Sequence, residues 1–106
     1  MTHLPLGEYE VVDHQEIPEC SLRILKLTKD DFIHPHHHHG TTQIYFILEG
    51  IAEAMVNGET IVLKPHQTLR IPIDSIHSIR AEKKALVLSI SIPPLDDADQ
   101  HLAARH

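Results

Sequence analysis

Short runs of β-branched and aliphatic residues, separated by turn residues, recur roughly every ten positions along this chain. Asn57-Gly58 separates two of them, and this dipeptide is the strongest short signal for a two-residue β-hairpin. Regularly spaced short strands are typical of an all-β sandwich or barrel. The predicted strands are residues 8–12, 21–27, 43–48, 51–56, 59–63, 68–72, 77–81 and 85–92.

The length of 106 residues predicts a single domain with one modest core. Residues 1–94 are assigned to a β-barrel domain. After Pro93-Pro94 the sequence becomes polar and alanine-containing. Residues 95–106 are therefore predicted to form a short C-terminal helix, with Asp96 or Asp97 near its start, or a tail.

Two predicted strands lack the alternation of a strand that has one face in water. Residues 44–48 ("IYFIL") and 85–88 ("ALVL") are apolar at every position. Both faces of these strands should therefore be covered. The cover of the outer face is predicted to be a second subunit in a homodimer, and the alternative is another strand of the same chain.

Charge and composition exclude several classes of partner. The net charge is -6 and no basic stretch offsets it, which argues against nucleic acid. No apolar run approaches the ~18 residues of a membrane helix, and no signal-peptide pattern is present. The single cysteine, Cys20, rules out an intrachain disulfide. We expect a cytoplasmic protein that binds a small molecule.

Histidine is the outlier of the composition, with 11 residues, and five of them lie in the segment "HPHHHH" at 34–39. Alternate side chains of a strand share a face, so His36 and His38 form a natural pair. His37 and His39 would then point the other way. On its own this segment is consistent with either a metal site or a solvated polar loop.

A metal site needs further ligands from elsewhere in the chain. Gln43 begins the next strand, and its amide oxygen is a moderate, neutral ligand. His77 follows a proline-led turn and begins another strand. Imidazole nitrogen binds Fe, Ni, Cu and Zn well. These two residues are the candidates to complete a site with one of the histidine pairs.

The spacing of these residues resembles the motifs of the cupin superfamily. His36-x-His38, four residues, Gln43, six residues and Gly50 match its first motif, and "PIDSIH" from Pro72 to His77 matches part of its second. The resemblance spans residues 36–81. It implies a conical double-stranded β-helix (jelly-roll) barrel holding one divalent transition metal (Fe, Mn, Ni or Zn). The implied ligands are His36, His38, Gln43 and His77; a rival register uses His37, His39 and Gln43.

Four positions depart from the family pattern. Gln43 replaces a glutamate, Ala81 replaces an asparagine, and His66 and Asp74 occupy positions where glycine normally permits positive φ. The last two changes predict altered turns, with His66 a surface turn residue. A neutral Gln43 would leave the charge of the site at +2, which favours Lewis-acid chemistry over redox cycling. His101 has no evident role.

The lining of the implied barrel follows from strand alternation. Tyr45 shares a face with Gln43 and is the candidate catalytic acid, base or orienting hydroxyl, although it could equally be a core aromatic. Ile47, Ile71 and Ile79 are the candidate substrate-pocket residues. The predicted function is metal-assisted lyase or isomerase chemistry on a small polar or anionic metabolite. The alternatives are a metal-dependent dioxygenase and a non-catalytic binding module.

Overall fold

The structure is a computed structural model that describes residues 7–29 and 31–102. Most of this part of the chain is strand, and all of its strand pairs are antiparallel. The strands are β1 (Gly7–Glu8), β2 (Glu10–Ile17), β3 (Cys20–Thr28), β4 (Phe32–His37), β5 (Thr42–Val56), β6 (Glu59–Leu63), β7 (Thr68–Ile71), β8 (His77–Ile92) and β9 (His101–Leu102). The prediction of an all-β barrel is confirmed.

The two longest strands belong to both walls of the barrel. The end of β8 pairs with β3 and with the start of β5, which also pairs with β7. The start of β8 pairs with β4 and with the end of β5, which also pairs with β6. The strand order is therefore β2-β3-β8-β5-β7 in one wall and β1-β4-β8-β5-β6 in the other. The core lies between these two walls.

The sequence predicted two strands in place of β5 and two in place of β8, and this was wrong. Gly50 adopts φ +76 and lies within register shifts between β5 and β8, so it bends β5 without ending it. The exposed residues 82–84 of β8 lie at the same point along the β5–β8 pair and join the two halves of β8. The turn-type residues here therefore mark a bend between the two walls. They do not end the strands, because a bulge keeps the strand pairing on both sides.

Smaller differences concern the strand bounds. The strand predicted at residues 8–12 is found as β2, which reaches Ile17 and pairs along β3. The strand β4, which carries the first three histidines of the 34–39 segment, was not among the predicted strands. Its sequence contains Pro35, which is depleted in strands, and three histidines instead of β-branched residues, so the pairing with β1, β8 and β9 is what reveals it.

Alternation along the long strands separates a buried inner face from an apolar outer face. The inner side chains form one cluster: Leu25, Leu27, Ile33, Tyr45, Ile47, Ala52, Ala54, Leu63, Ile71, Ile79, Ala81, Ala85 and Val87. The intervening outer residues of β3, β5 and β8 are half-buried. We call these the outer apolar face: Leu22, Ile24, Ile44, Phe46, Leu86, Leu88 and Ile90.

The segment after Pro94 returns to the barrel. Asp96 caps a single 3-10 turn, Asp97–Asp99, by accepting a hydrogen bond from Ala98 N at 2.9 Å. The strand β9 then pairs with the end of β4. Residues 103–106 of the predicted helix or tail lie outside the described residues. Within the described ranges, no helix is long and apolar enough to cross a membrane.

Candidate metal centre

Three buried histidines from two distant segments meet between the walls of the barrel. His36 ends the pairing of β4 with β8, where its register partner is His77, the first residue of β8. His38 follows two residues later on the same side. The ring centroid of His36 lies 4.9 Å from that of His38 and 4.2 Å from that of His77. One ligand atom from each of the three lies within 4.8 Å of the others, so this trio can hold a metal ion.

Backbone carbonyls orient all three rings in the same manner. Each Nδ1 lies within hydrogen-bond distance of a main-chain oxygen, which can only accept, so each Nδ1 carries the proton and donates. The second nitrogen, Nε2, is then a lone pair directed to the interior. This arrangement is the usual one for histidines that bind metals. The contacts are His36 to His34 O (2.7 Å), His38 to Asp99 O (2.9 Å) and His77 to Ser75 O (2.9 Å).

Gln43 adds an oxygen to the same point. Its Nε2 donates to Ser91 Oγ at 3.0 Å, which directs its Oε1 inward to within 3.0 Å of His77 Nε2. Both of these inner atoms are acceptors, so their contact is favourable only with a cation beside them. His38 Nε2 is buried with no hydrogen-bond partner. An unsatisfied nitrogen and two facing acceptors fit a bound cation.

Burial keeps the three rings neutral. Desolvation lowers the pKa of His36 to about 3, with the nearby His77 adding to the effect. Desolvation also lowers the pKa of His77 to about 4, although the hydrogen bond to the Ser75 carbonyl opposes it. Desolvation likewise lowers the pKa of His38. Metal binding requires the neutral imidazole, so no proton has to be displaced at neutral pH.

The structure thus brings together the four residues that the sequence singled out as metal ligands: His36, His38, Gln43 and His77. It does not bring His37 or His39 to this point, because they lie on the opposite face of the chain. That these residues bind a metal stays a prediction. The structure shows a site that matches what such an ion requires.

The glycine positions of the second motif keep their turn geometry, so the prediction of altered turns was wrong. His66 adopts φ +71 and Asp74 adopts φ +66, both in the left-handed region. Asp and His are among the non-glycine residues enriched there. The Asp74 amide also donates to His38 O at 2.8 Å, which ties this turn to the histidine segment. The turn before His77 is therefore retained without glycine.

The predicted pocket residues Ile47, Ile71 and Ile79 are fully buried core side chains. Ile79 also lines an open cavity of about 330 Å³. A smaller cavity of about 20 Å³ lies beside His36 and Gln43. Tyr45 lines this cavity and is 2 % exposed. Burial raises the pKa of the Tyr45 phenol above its ordinary value, so this hydroxyl stays protonated. The other described residues of the lining are Tyr9, Arg23, Leu25, Ile33, Ser89, Leu95 and Gln100.

Two components of the site escaped the sequence reasoning. Arg23 lines the cavity from β3, and its Nε is fully buried. Its position between Ser21 and Leu25, both buried, is the alternation signal that could have revealed it. The second component is the C-terminal segment. Asp99 accepts hydrogen bonds from His39 N and Gly40 N at 2.9 and 2.8 Å, while Leu95 and Gln100 cover the cavity.

Comparison with known families defines the class of protein to which this barrel belongs. The sequence model of the cupin domain matches residues 24–92, well over half of the chain. The chain belongs to the cupin family. The three buried histidines and the family together indicate a metal site.

Solved structures agree on the fold. KdgF from Halomonas sp. is 23% identical with a TM-score of 0.76, over 92% of this chain and 88% of that one. TT1209 from Thermus thermophilus is 23% identical with a TM-score of 0.74, over 84% and 85%. A cupin superfamily protein from Desulfitobacterium hafniense is 16% identical with a TM-score of 0.70, over 88% and 83%. None of the curated proteins compared with the sequence matches it. The double-stranded β-helix fold is confirmed.

Proposed function

We propose that this protein is a metal-dependent enzyme that performs lyase or isomerase chemistry on a small anionic, oxygen-bearing metabolite. The observation that carries the proposal is the composition of the site. Three neutral imidazoles and a neutral amide oxygen face one point beside Arg23. The imidazoles and the amide are neutral and Arg23 is a cation, so none of these groups offsets the charge of a divalent ion. Such a site attracts an anionic oxygen ligand strongly.

A divalent transition ion (Fe, Mn, Ni or Zn) held by His36, His38, Gln43 and His77 would act as a Lewis acid toward a substrate oxygen. Arg23 supplies a planar cation suited to bidentate binding of a carboxylate. Burial raises the pKa of the Tyr45 hydroxyl, so the group stays protonated and would act on a substrate as a hydrogen-bond donor. These two side chains would orient the substrate in the cavity.

The cavity has to enlarge to admit a substrate. Its volume of about 20 Å³ is close to that of one water-sized group. Leu95 and Gln100, from the segment after the barrel, are part of its lining. We expect this segment to move when substrate enters and to exclude water when it returns.

The reaction class is tested with metal-reconstituted protein and a panel of hydroxy acids and unsaturated uronates. Product formation and solvent-proton exchange are followed by NMR, while an oxygen electrode records oxygen use; metal-free protein is the control. Turnover without oxygen use supports the proposal. Metal-dependent oxygen consumption would instead identify a dioxygenase. Full metal occupancy without any turnover would identify a binding module.

Replacing Arg23 with methionine should weaken anion binding about 10- to 100-fold, the range expected for loss of a charge-assisted hydrogen bond. Metal content should not change. The probe is malonate binding to cobalt-substituted protein, measured by visible absorption. Arg80→Met is the matched control, because Arg80 lies outside the barrel, where it pairs with Glu53 at 3.0 Å. Equal malonate affinity in the two variants would rule out the role of Arg23.

We also propose that the outer apolar face is the interface of a homodimer. Its seven side chains are apolar and only half-buried, and Phe46 lies at its centre opposite Leu88. A second copy of the same face would bury them by a twofold, isologous contact. This supports the homodimer predicted from the non-alternating strands.

The dimer is tested by light scattering coupled to size exclusion. The wild-type protein should have about twice the 12.0 kDa mass of the chain. Phe46→Glu should give the monomer mass, since it buries a carboxylate in an apolar interface. Met55→Glu, on an exposed outer position of the other wall, should leave the dimer intact. A monomeric wild-type protein would contradict the proposal.

A further inference from the structure

A second group of histidines lies on the opposite side of the segment that carries His36 and His38. We call His37, His39 and His101 the outer histidine cluster. Pairing of β4 with β9 places His101 opposite His37. The ring centroids are 4.9 Å apart for His37 and His39, 5.3 Å for His37 and His101, and 4.5 Å for His39 and His101. These separations are close to those within the buried trio.

Carboxylates contact one nitrogen of two of these rings. Asp74 Oδ1 accepts from His39 Nδ1, and Asp99 Oδ1 accepts from His101 Nε2 at 3.1 Å. The opposite nitrogen of each ring, His39 Nε2 and His101 Nδ1, is then left as a lone pair when the ring is neutral. Carboxylates commonly orient metal-binding histidines in this manner and raise their basicity.

His37 contributes an independent observation. Its Nδ1 is buried and has no hydrogen-bond partner in the structure. A buried nitrogen without a partner carries a desolvation cost that a bound cation would remove. The cluster therefore presents one unsatisfied nitrogen next to two oriented rings.

We infer that the outer histidine cluster binds a second divalent transition-metal ion, such as Zn²⁺, Ni²⁺ or Cu²⁺, separately from the interior centre. Imidazole is a good ligand for all three ions. Asp74 and Asp99 supply the negative charge that the interior site lacks. Alternate residues of one histidine segment thus serve two sites, with positions 36 and 38 facing inward and positions 37 and 39 facing outward.

The second site should be the weaker one. Among the described residues, only the buried trio has three ligand atoms that all lie within 4.8 Å of one another. The rings of the outer cluster must therefore rotate to converge on an ion. Rotation is possible because the His39 and His101 side chains are 60% and 38% exposed. Ordering exposed side chains costs conformational entropy, which reduces affinity.

A bound ion would also join two parts of the chain. His101 belongs to β9, which follows the segment that covers the interior cavity, whereas His37 and His39 belong to the histidine segment. An ion shared by these side chains would fasten β9 to the barrel. It would add to the hydrogen bonds that Asp99 already accepts from His39 N and Gly40 N.

The test is a calorimetric Zn²⁺ titration of metal-free protein that carries no affinity tag. Wild-type protein should bind two ions per chain in two affinity classes. His39→Ala and His101→Ala should each weaken the lower-affinity class by at least about 10-fold and leave the higher-affinity class unchanged. His77→Ala should show the reverse pattern. His14→Ala, an exposed histidine on β2, is the control and should behave as wild type.

Several outcomes would overturn the inference. A wild-type protein that binds one ion, or outer variants that titrate as wild type, would show that the cluster is a histidine–carboxylate network only. An equal loss in His14→Ala would show nonspecific surface binding. Circular dichroism of each variant checks its fold. Because the outer variants report on the second class alone, their result does not depend on whether the interior centre is catalytic.

Discussion

Replacing His77 with alanine is expected to abolish metal binding at the interior centre. This side chain is 1% exposed, it contacts Gln43 Oε1, and it is one of the three rings with converging ligand atoms. Its loss leaves two imidazoles from alternate positions of one segment and the weaker amide oxygen of Gln43, which together do not enclose an ion. We expect the bound metal at this centre to fall from about one ion per chain to below about one tenth. Elemental analysis of untagged protein after dialysis against a weak chelator measures this.

His66→Gly is the matched control. His66 lies in the same motif, but its ring is exposed and its backbone already has φ +71, which glycine adopts without strain. This variant should keep its interior metal, with a free energy of unfolding within about 1 kcal/mol of wild type. Loss of the metal in His66→Gly together with its retention in His77→Ala would show that the second motif is misassigned.

Replacing Gly50 with alanine should destabilise the barrel more than any other substitution considered. A Cβ at this position would lie 2.0 Å from Lys84 O, a backbone atom of β8 that cannot move without disturbing the strand pairing. The φ of +76 adds the strain of a left-handed non-glycine residue. Together these effects predict a loss of about 3–5 kcal/mol, comparable with the whole stability of a small domain. Urea unfolding of metal-free protein measures it.

Gly58→Ala separates the two contributions. Gly58 adopts φ +86 in the β5–β6 hairpin, but no atom lies within 4 Å of a Cβ built there. Only the conformational strain remains, so a loss of about 1–2 kcal/mol is expected. If the two glycine variants lost equal stability, the close approach of β5 to β8 would not matter energetically.

The strand content could be predicted because it depends on local patterns. The Asn57-Gly58 hairpin and the bounds of β6 were predicted correctly, since short turns and alternation act over a few residues. The continuity of β5 through Gly50 could not be predicted. A glycine at a bulge and a glycine at a turn have the same sequence signature, and only the pairing with Lys84 and Ala85 distinguishes them.

The candidate ligands could also be predicted, because each lies at a set spacing within a motif. What escaped prediction depends on contacts between distant positions. The bond from His38 Nδ1 to Asp99 O joins residues 61 positions apart, and no local pattern encodes it. The same holds for the outer histidine cluster, in which His101 gained a partner only through the pairing of β4 with β9.

The orientation of the three buried rings by main-chain oxygens has an evolutionary consequence. Positions 34, 75 and 99 hold these rings through carbonyl groups, which every amino acid possesses. Mutation at those positions can change the side chain without removing the acceptor. As far as the orientation of the rings is concerned, the side chains at these positions can therefore change, and a sequence alignment would not reveal the carbonyl groups that orient the imidazoles. Position 99 is the exception, because its carboxylate also accepts from His39 N and Gly40 N.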